Sequence, residues 1–188
     1  MATRLRFALL ALTLGGTVFA AQSIHEAPAN APSTGRVTPA GELGTPMHIS
    51  GVVAGSDGAL IAGASLYVYQ TDHEGYYGVK PASDNRNPRL KLFLRSDAKG
   101  AWSFDTIRPG SYPNSKIPAH IHFEVSAKGY ANRVFEIVFE GDPYLDLKMR
   151  KDPAFSVRTV EAGGRVSAEV GAPHRGCVGN DCRGGQTS

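Results

Sequence analysis

Two imidazoles, His120 and His122, stand two residues apart in the stretch IPAHIHFEV, which runs from Ile117 to Val125. On an extended strand, residues i and i+2 share a face, with Cα atoms about 6–7 Å apart, so the pair suits two neighbouring ligands of one metal ion. Glu124 falls on the same face, and Ile121, Phe123 and Val125 fall on the other. Alone, the pair reads more simply as two half-buried histidines hydrogen-bonded to their neighbours. Two further stretches add phenols. In TIRPGSYP, Tyr112 follows a Pro-Gly turn and precedes Pro113, where the backbone is stiff and the ring has few directions to point. In DHEGYYGV, Tyr76 and Tyr77 come directly after Gly75, at the end of an expected strand. Each tyrosine taken singly is more often a packing or interface residue.

The elements that must position these groups are short and β-rich. HISGVVAGSDGALIAGASLYVYQTD holds two strand-like runs split by the turn signal Ser56-Asp57-Gly58. LKLFLRSD and GAWSFDTI repeat the scheme around Asp97-Ala98-Lys99-Gly100, and HIHFEVSA and RVFEIVFEG do so around Lys128-Gly129-Tyr130. LDLKM and FSVRTVEAGG are candidates for further short strands. Tight turns without a helical period predict an all-β antiparallel sandwich over residues 47–153. Trp102 and Phe104 share a strand face and are expected in its core.

The flanks read differently. Arg4 and Arg6, an apolar run from Phe7 to Ala20 and a small-residue exit at Val18, Ala20 and Ala21 have the form of a secretory signal peptide over residues 1–21. Export to the periplasm or beyond the cell is therefore expected, with no membrane attachment once the leader is removed. Without Arg4 and Arg6 the formal charge falls from +3 to +1, and no basic cluster remains to suggest nucleic acid as a partner. Residues 22–46 are rich in Pro, Ala and Gly without periodicity and predict a flexible arm. Residues 154–188 read as a mostly flexible extension. Its Cys177 and Cys182, the two cysteines of the chain, suit a small-loop disulfide in an oxidising compartment.

Taken in order, GVVAGSDGALIAGASLYVYQTDHEGYY, SDAKGAWSFDTIRPGSYP, PAHIHFEV and FEGDP resemble the core of the intradiol ring-cleavage dioxygenases, the group of catechol and protocatechuate dioxygenases. The likeness spans roughly residues 48 to 145, and the last two blocks are its most specific part. It implies a transthyretin-like sandwich topology, here without an N-terminal helical domain. It also implies a non-haem Fe(III) ion held by Tyr77, Tyr112, His120 and His122, with Tyr76 as the alternative to Tyr77 if the register slips by one. By the same resemblance, Tyr112 is the ligand that leaves, opposite His122, when a catechol binds. Catechol and O2 then yield a muconate-type diacid that carries both oxygen atoms. The donor chemistry agrees: phenolate is a hard anionic oxygen donor suited to a hard trivalent cation, and such a cation would hold a phenol with a free pKa of about 10 deprotonated.

Two positions and one segment depart from the family pattern. Ile117 stands where the family carries an arginine before PAH, and Lys116 should point the other way on an extended backbone. Glu136 stands at a pocket position that is often glutamine, and an anion there would disfavour a catecholate. The segment between Tyr112 and His120 is short, which opens the pocket. With no cation aimed at a substrate carboxylate, catechol-like substrates are favoured over protocatechuate. Two other readings remain open. Part of the pattern also resembles the transthyretin-like and carboxypeptidase-regulatory sandwiches, binding or structural modules without chemistry. The two histidines with Glu124 or Glu136 could instead hold zinc or copper. His25 and His174 fall in the expected mobile ends, His48 precedes the first strand, and His73, beside the expected site, reads as a loop residue more readily than as a donor to one of its groups.

Overall fold

A computed structural model describes residues 24–55, 57–79, 84–152, 154–158 and 165–167. Alternating and β-branched runs form nine strands, with no α-helix among the described residues. They are β1 (Thr34–Arg36), β2 (Pro46–Val52), β3 (Ser65–Gln70), β4 (Leu90–Arg95), β5 (Ala101–Ile107), β6 (His120–Ser126), β7 (Arg133–Phe139), β8 (Phe155–Arg158) and β9 (Arg165–Ser167). One sheet runs β1-β5-β2-β9 and the other β4-β3-β6-β7-β8. The central pairs are antiparallel, as expected of the sandwich. The outer strands β1, β8 and β9 join in parallel, because each arrives from a flanking segment and not through a hairpin.

Between the sheets, Ile49, Leu66, Val68, Leu94, Trp102, Phe104, Ile121, Phe123, Phe135 and Ile137 make one continuous core. The Phe123 and Phe135 rings stack at 5.0 Å, and Trp102 and Phe104 lie 5.9 Å apart. Burying each such aromatic contributes about 2–3 kcal/mol against leaving it in water.

Residues 24–46, expected as part of a flexible arm, are bound along the sandwich. The His25 backbone N–H donates to Glu124 (2.8 Å), and its ring lies 4.3 Å from that of Tyr67. Ala27 N–H donates to Ser65 Oγ (2.7 Å), and Arg95 donates to the Ala27 and Pro28 carbonyls (2.6 and 2.9 Å). Midway along the arm, β1 pairs with β5. Its partners are side chains from strands far along the chain, so local composition carries no sign of its order. His25 is accordingly an anchored residue, not a mobile one. His48 lies within β2 and meets Asp105 at 2.8 Å, and His73 is an exposed loop residue.

LDLKM is not a strand. The chain turns there and closes into a 3₁₀ turn at Met149–Lys151, with Asp146 Oδ1 accepting from Met149 N–H (2.7 Å). The edge of β7 that such a strand would need is taken by β8, which starts in FSVRTVEAGG. Cys177, Cys182 and His174 lie outside the described residues.

Candidate metal centre

Period-two geometry puts Ile121 and Phe123 of β6 in the core and His120 and His122 on the outer face of the larger sheet. Register then sets their neighbours. His122 is flanked by Tyr69 of β3 and Glu136 of β7, and His120 stands beside Val138. The Tyr69 ring stacks on the His122 imidazole at 4.3 Å and 11°, which fixes the imidazole plane.

The phenols come from two loops that touch back to back. Gly75, at φ +90°, approaches the 108–113 loop so closely that a Cβ there would lie 2.0 Å from the Ser111 carbonyl oxygen. A Cβ on Gly110 would lie 2.6 Å from Gly75 N. Only glycine permits both the left-handed turn and the contact. Asp72 ties the loops together: its carbonyl accepts from Gly110 N–H (2.8 Å), and its carboxylate from Glu74 N–H and Tyr76 N–H (3.0 Å each). Beneath them, Gln70 donates to the Ile107 carbonyl (3.0 Å) and accepts from Thr106 (2.7 Å), joining the ends of β3 and β5. Tyr77 is thereby buried and aimed at the histidines, whereas Tyr76 stands in the bracing turn, its carbonyl accepting from Asp72 N–H (2.9 Å).

Four side-chain tips converge. Tyr77 Oη lies 2.6 Å from His122 Nε2, Tyr112 Oη 2.9 Å from His120 Nε2, and the two Nε2 atoms 3.1 Å apart. Tyr112 Oη lies 3.5 Å from His122 Nε2, and the two phenol oxygens are in hydrogen-bond contact. The other ring nitrogens settle the tautomers. His120 Nδ1 meets the Pro118 carbonyl at 2.7 Å, and a carbonyl only accepts, so Nδ1 carries the proton. His122 Nδ1 meets Glu136 Oε1 at 3.1 Å, with the same consequence. Both Nε2 lone pairs therefore face each other across the cluster, an arrangement that asks for a cation between them. Metal bonds of about 2 Å, at right angles or wider, put donor atoms roughly 2.8–3.5 Å apart, close to the spacing seen. The donor set fits a metal ion, and two phenol oxygens with two imidazoles suit a hard one such as iron.

Electrostatics agree. Burial pushes the Tyr77 and Tyr112 phenols up from their ordinary value, as does the charge of Glu136. The Tyr77–Tyr112 contact raises Tyr77 further and partly offsets the rise at Tyr112. Burial, and then His122, push His120 down and keep it neutral. Lacking a cation, the phenols hold their protons; a bound cation reverses that preference.

The carboxylates stand outside this set. Glu124 shares the histidine face, as strand period requires, but its carboxylate is turned to His25. Glu136 approaches His122 on the Nδ1 side, opposite the tyrosines' side of the ring, so it lies behind the imidazole and not among the four tips. Although Glu136, His120 and His122 offer atoms within 4.8 Å of one another, the tyrosines fill the Nε2 side. Sequence reasoning missed Tyr69, which only the β3–β6 register reveals, and Asp142. The buried Asp142 carboxylate of FEGDP accepts from Ala119 N–H (3.1 Å) and Tyr144 N–H (3.0 Å), holding the residue just before His120.

A family model described as Dioxygenase matches residues 18–169. Among curated relatives, 6-chlorohydroxyquinol 1,2-dioxygenase of Cupriavidus pinatubonensis is 32% identical over 63% of this chain and 47% of its own length. Catechol 1,2-dioxygenase 2 of Acinetobacter lwoffii is 33% identical over 54% of this chain and 42% of its own. The chain thus spans less than half the length of these two relatives. Among solved structures, 3-chlorocatechol 1,2-dioxygenase from Rhodococcus opacus 1CP superposes with a TM-score of 0.60 at 20% identity, over 78% of this chain and 67% of that one. The dioxygenase domain of a carbohydrate-binding fusion from Streptomyces sp. SirexAA-E gives 0.57 at 22%, over 81% and 97%. These likenesses establish the shared fold. With the family model matched over most of its length, the chain belongs to the intradiol ring-cleavage dioxygenase family.

Proposed function

We propose that this protein is an Fe(III)-dependent intradiol dioxygenase, with Tyr77, Tyr112, His120 and His122 as the metal ligands. The substrate is a catechol-type compound, cleaved by O2 between its two hydroxyl-bearing carbons to a muconate-type diacid. The convergence of two phenol oxygens with two imidazole lone pairs carries this reading. A non-catalytic sandwich has no use for two lone pairs aimed at each other.

The bound ferric ion would supply the Lewis acidity that keeps the phenols ionised and makes the bound catecholate reactive towards O2. The chain's own groups do the rest. Tyr112 is the more exposed phenol and sits on a loop, whereas Tyr77 is buried beneath the Gly75–Gly110 contact. Tyr112 is therefore the group that accepts a catechol proton at Oη and swings aside, and the second proton leaves with displaced solvent. Tyr77, His120 and His122 stay in place, locked by the loop clamp, by the Pro118 carbonyl, and by Glu136 with the Tyr69 ring.

Colour tests the proposal. The purified protein loaded with Fe(III) should show a tyrosinate-to-iron band in the visible, and anaerobic catechol should shift it to longer wavelength. A colourless protein with iron in solution, or a band indifferent to catechol, would sink it. Exchange of Tyr112 for Phe should weaken the band and lower ring-opening turnover by roughly 10²–10⁴-fold, the usual worth of a positioned base. We also infer export, from the Arg4–Ala21 leader pattern. Sequencing the N-terminus of the mature protein checks it, and an intact Met1 would overturn it.

A further inference from the structure

We propose that His25 is a positioning residue of the metal centre, its ring backing a column of aromatic rings that ends on His122. This rests on the reading of His122 as a ligand of that centre. On the outer face of the larger sheet, register sets Tyr67 opposite Glu124 and Tyr69 opposite His122. The arm crosses that face with the His25 ring against Tyr67, the two centroids 4.3 Å apart. Tyr67 lies 5.2 Å from Tyr69, and Tyr69 stacks on His122 at 4.3 Å and 11°. The column closes on itself. His25 donates from its backbone N–H to Glu124 Oε2 (2.8 Å), and its Nδ1 meets the same oxygen at 3.0 Å. Glu124 and His122 stand two residues apart on β6, so a circuit of side chains leaves that strand at Glu124 and returns to it at His122.

Each member of the circuit limits the next. The Glu136 contact sets the direction of His122 Nδ1, and the flat Tyr69 ring against its face stops the imidazole from tilting. A tyrosine on the outer face of a sheet has other staggered rotamers open to it unless its neighbours fill that space. Tyr67 is the neighbour on one side of Tyr69. It is itself only 3% exposed although it lies outside the core, with the His25 and Phe93 rings (4.7 Å for Phe93) against it. Packing that locks the rotamers behind a ligand is what keeps a metal site in its productive geometry.

The arm stays docked without this ring. Ala27 N–H donates to Ser65, Arg95 donates to the Ala27 and Pro28 carbonyls, and Glu26 accepts from Arg95 (2.9 Å) and Ser126 (2.6 Å). The His25 side chain is 54% exposed, so replacing it leaves the fold intact. Its effect is therefore separable from that of the arm as a whole.

The test is NMR of the metal-free protein followed by titration with Fe(III). The ring current of a stacked tyrosine moves the His122 Cε1–H and Cδ2–H signals upfield. In His25→Ala they should shift downfield and broaden as Tyr69 loosens. Fe(III) affinity should fall about three- to ten-fold, less than the roughly 10–100-fold typical of groups that touch a ligand directly. His25→Phe keeps a ring over Tyr67 without the bond to Glu124 and should restore both readouts. His25→Gln keeps a polar side chain without the ring and should not. Glu26→Gln weakens the arm's anchor away from the column, so it should lower the unfolding midpoint and leave the His122 signals in place. Unmoved His122 signals in His25→Ala overturn the proposal. Rescue by Gln in place of Phe overturns it too, by assigning the effect to the Glu124 hydrogen bond. An equal shift in Glu26→Gln does the same, since the cause is then a general loosening of the arm. Failure of the unaltered protein to bind Fe(III), with the His122 signals still responding to His25→Ala as described, removes the iron reading and leaves the column standing.

Discussion

The two faces of β6 obey different rules. Inward, Ile121 and Phe123 are fully buried among Phe104, Trp102 and Phe135, held by dispersion and the exclusion of water. These forces have no preferred direction, so volume is what matters there. Outward, His120 and His122 are also buried, yet each ring nitrogen has a specific partner, and displacing one atom leaves another polar group unsatisfied. One backbone supports both because a strand turns alternate residues to opposite sides. The core face gives the site its rigidity.

That contrast breaks if the two faces prove interchangeable in their effects. The sharpest trial sets Phe123→Ala against His122→Ala. The histidine change should cost at least about 100-fold in iron affinity, more than the 10–100-fold typical of groups behind a ligand. It should cost the metal-free protein less in unfolding free energy, about 1–3 kcal/mol, for the partners left unpaired. The phenylalanine change should cost about 3–5 kcal/mol in denaturant unfolding, with colour kept by whatever fraction stays folded. If His122→Ala unfolds the protein as readily, the site is part of the core after all.

Next in size is Gly75→Ala. The added Cβ would fall 2.0 Å from the Ser111 carbonyl at a φ that disfavours side chains, so more than about 2 kcal/mol of stability should go. Colour should weaken with it, because the two loops part. Asp142→Asn comes third. Its two oxygens accept from Ala119 and Tyr144 backbone N–H groups, and an amide offers one acceptor oxygen in place of two. One buried donor is orphaned, at about 1–3 kcal/mol by thermal or denaturant unfolding.

Smallest is Glu42, which accepts a paired contact from Arg89 (2.5 and 2.7 Å), next to the Arg89 N–H that donates to the Tyr77 carbonyl (2.7 Å). The Arg89 hydrogen bond holds the Glu42 carboxyl below its ordinary value, against burial. Its contribution is therefore full above the ordinary carboxylate range and is lost as pH falls through the lowered folded value. Glu42→Gln should cost under about 1 kcal/mol at neutral pH, discounted for solvent screening, and should flatten the acid limb of a stability-against-pH curve. An unchanged acid limb would remove Glu42 from the support of the Tyr77 loop.

Much of the sandwich was legible in the chain because alternation over six or seven residues is a local signal. The Ile121-Phe123 and His120-His122 faces could be separated by counting. LDLKM shows the limit: it alternates as well, but the strand edge it would need belongs to β8. Residues 24–36 show the reverse case. Their composition looks mobile, and Ser65, Arg95 and Glu124 hold them in place. Glu136 could be read as a pocket anion, but its place behind His122 depends on the β6–β7 register.

By itself the sequence determined which groups were available for chemistry and which strand faces would carry them, since residue type and period two are properties of a single segment. Tertiary structure alone decided that Tyr77 rather than Tyr76 turns inward, that Tyr69 stacks on His122, and that Asp142 steadies the approach to His120. Those outcomes depend on distances between segments roughly 20 to 55 residues apart (on the order of long-range loop closures), and such distances exist only once the two sheets have packed.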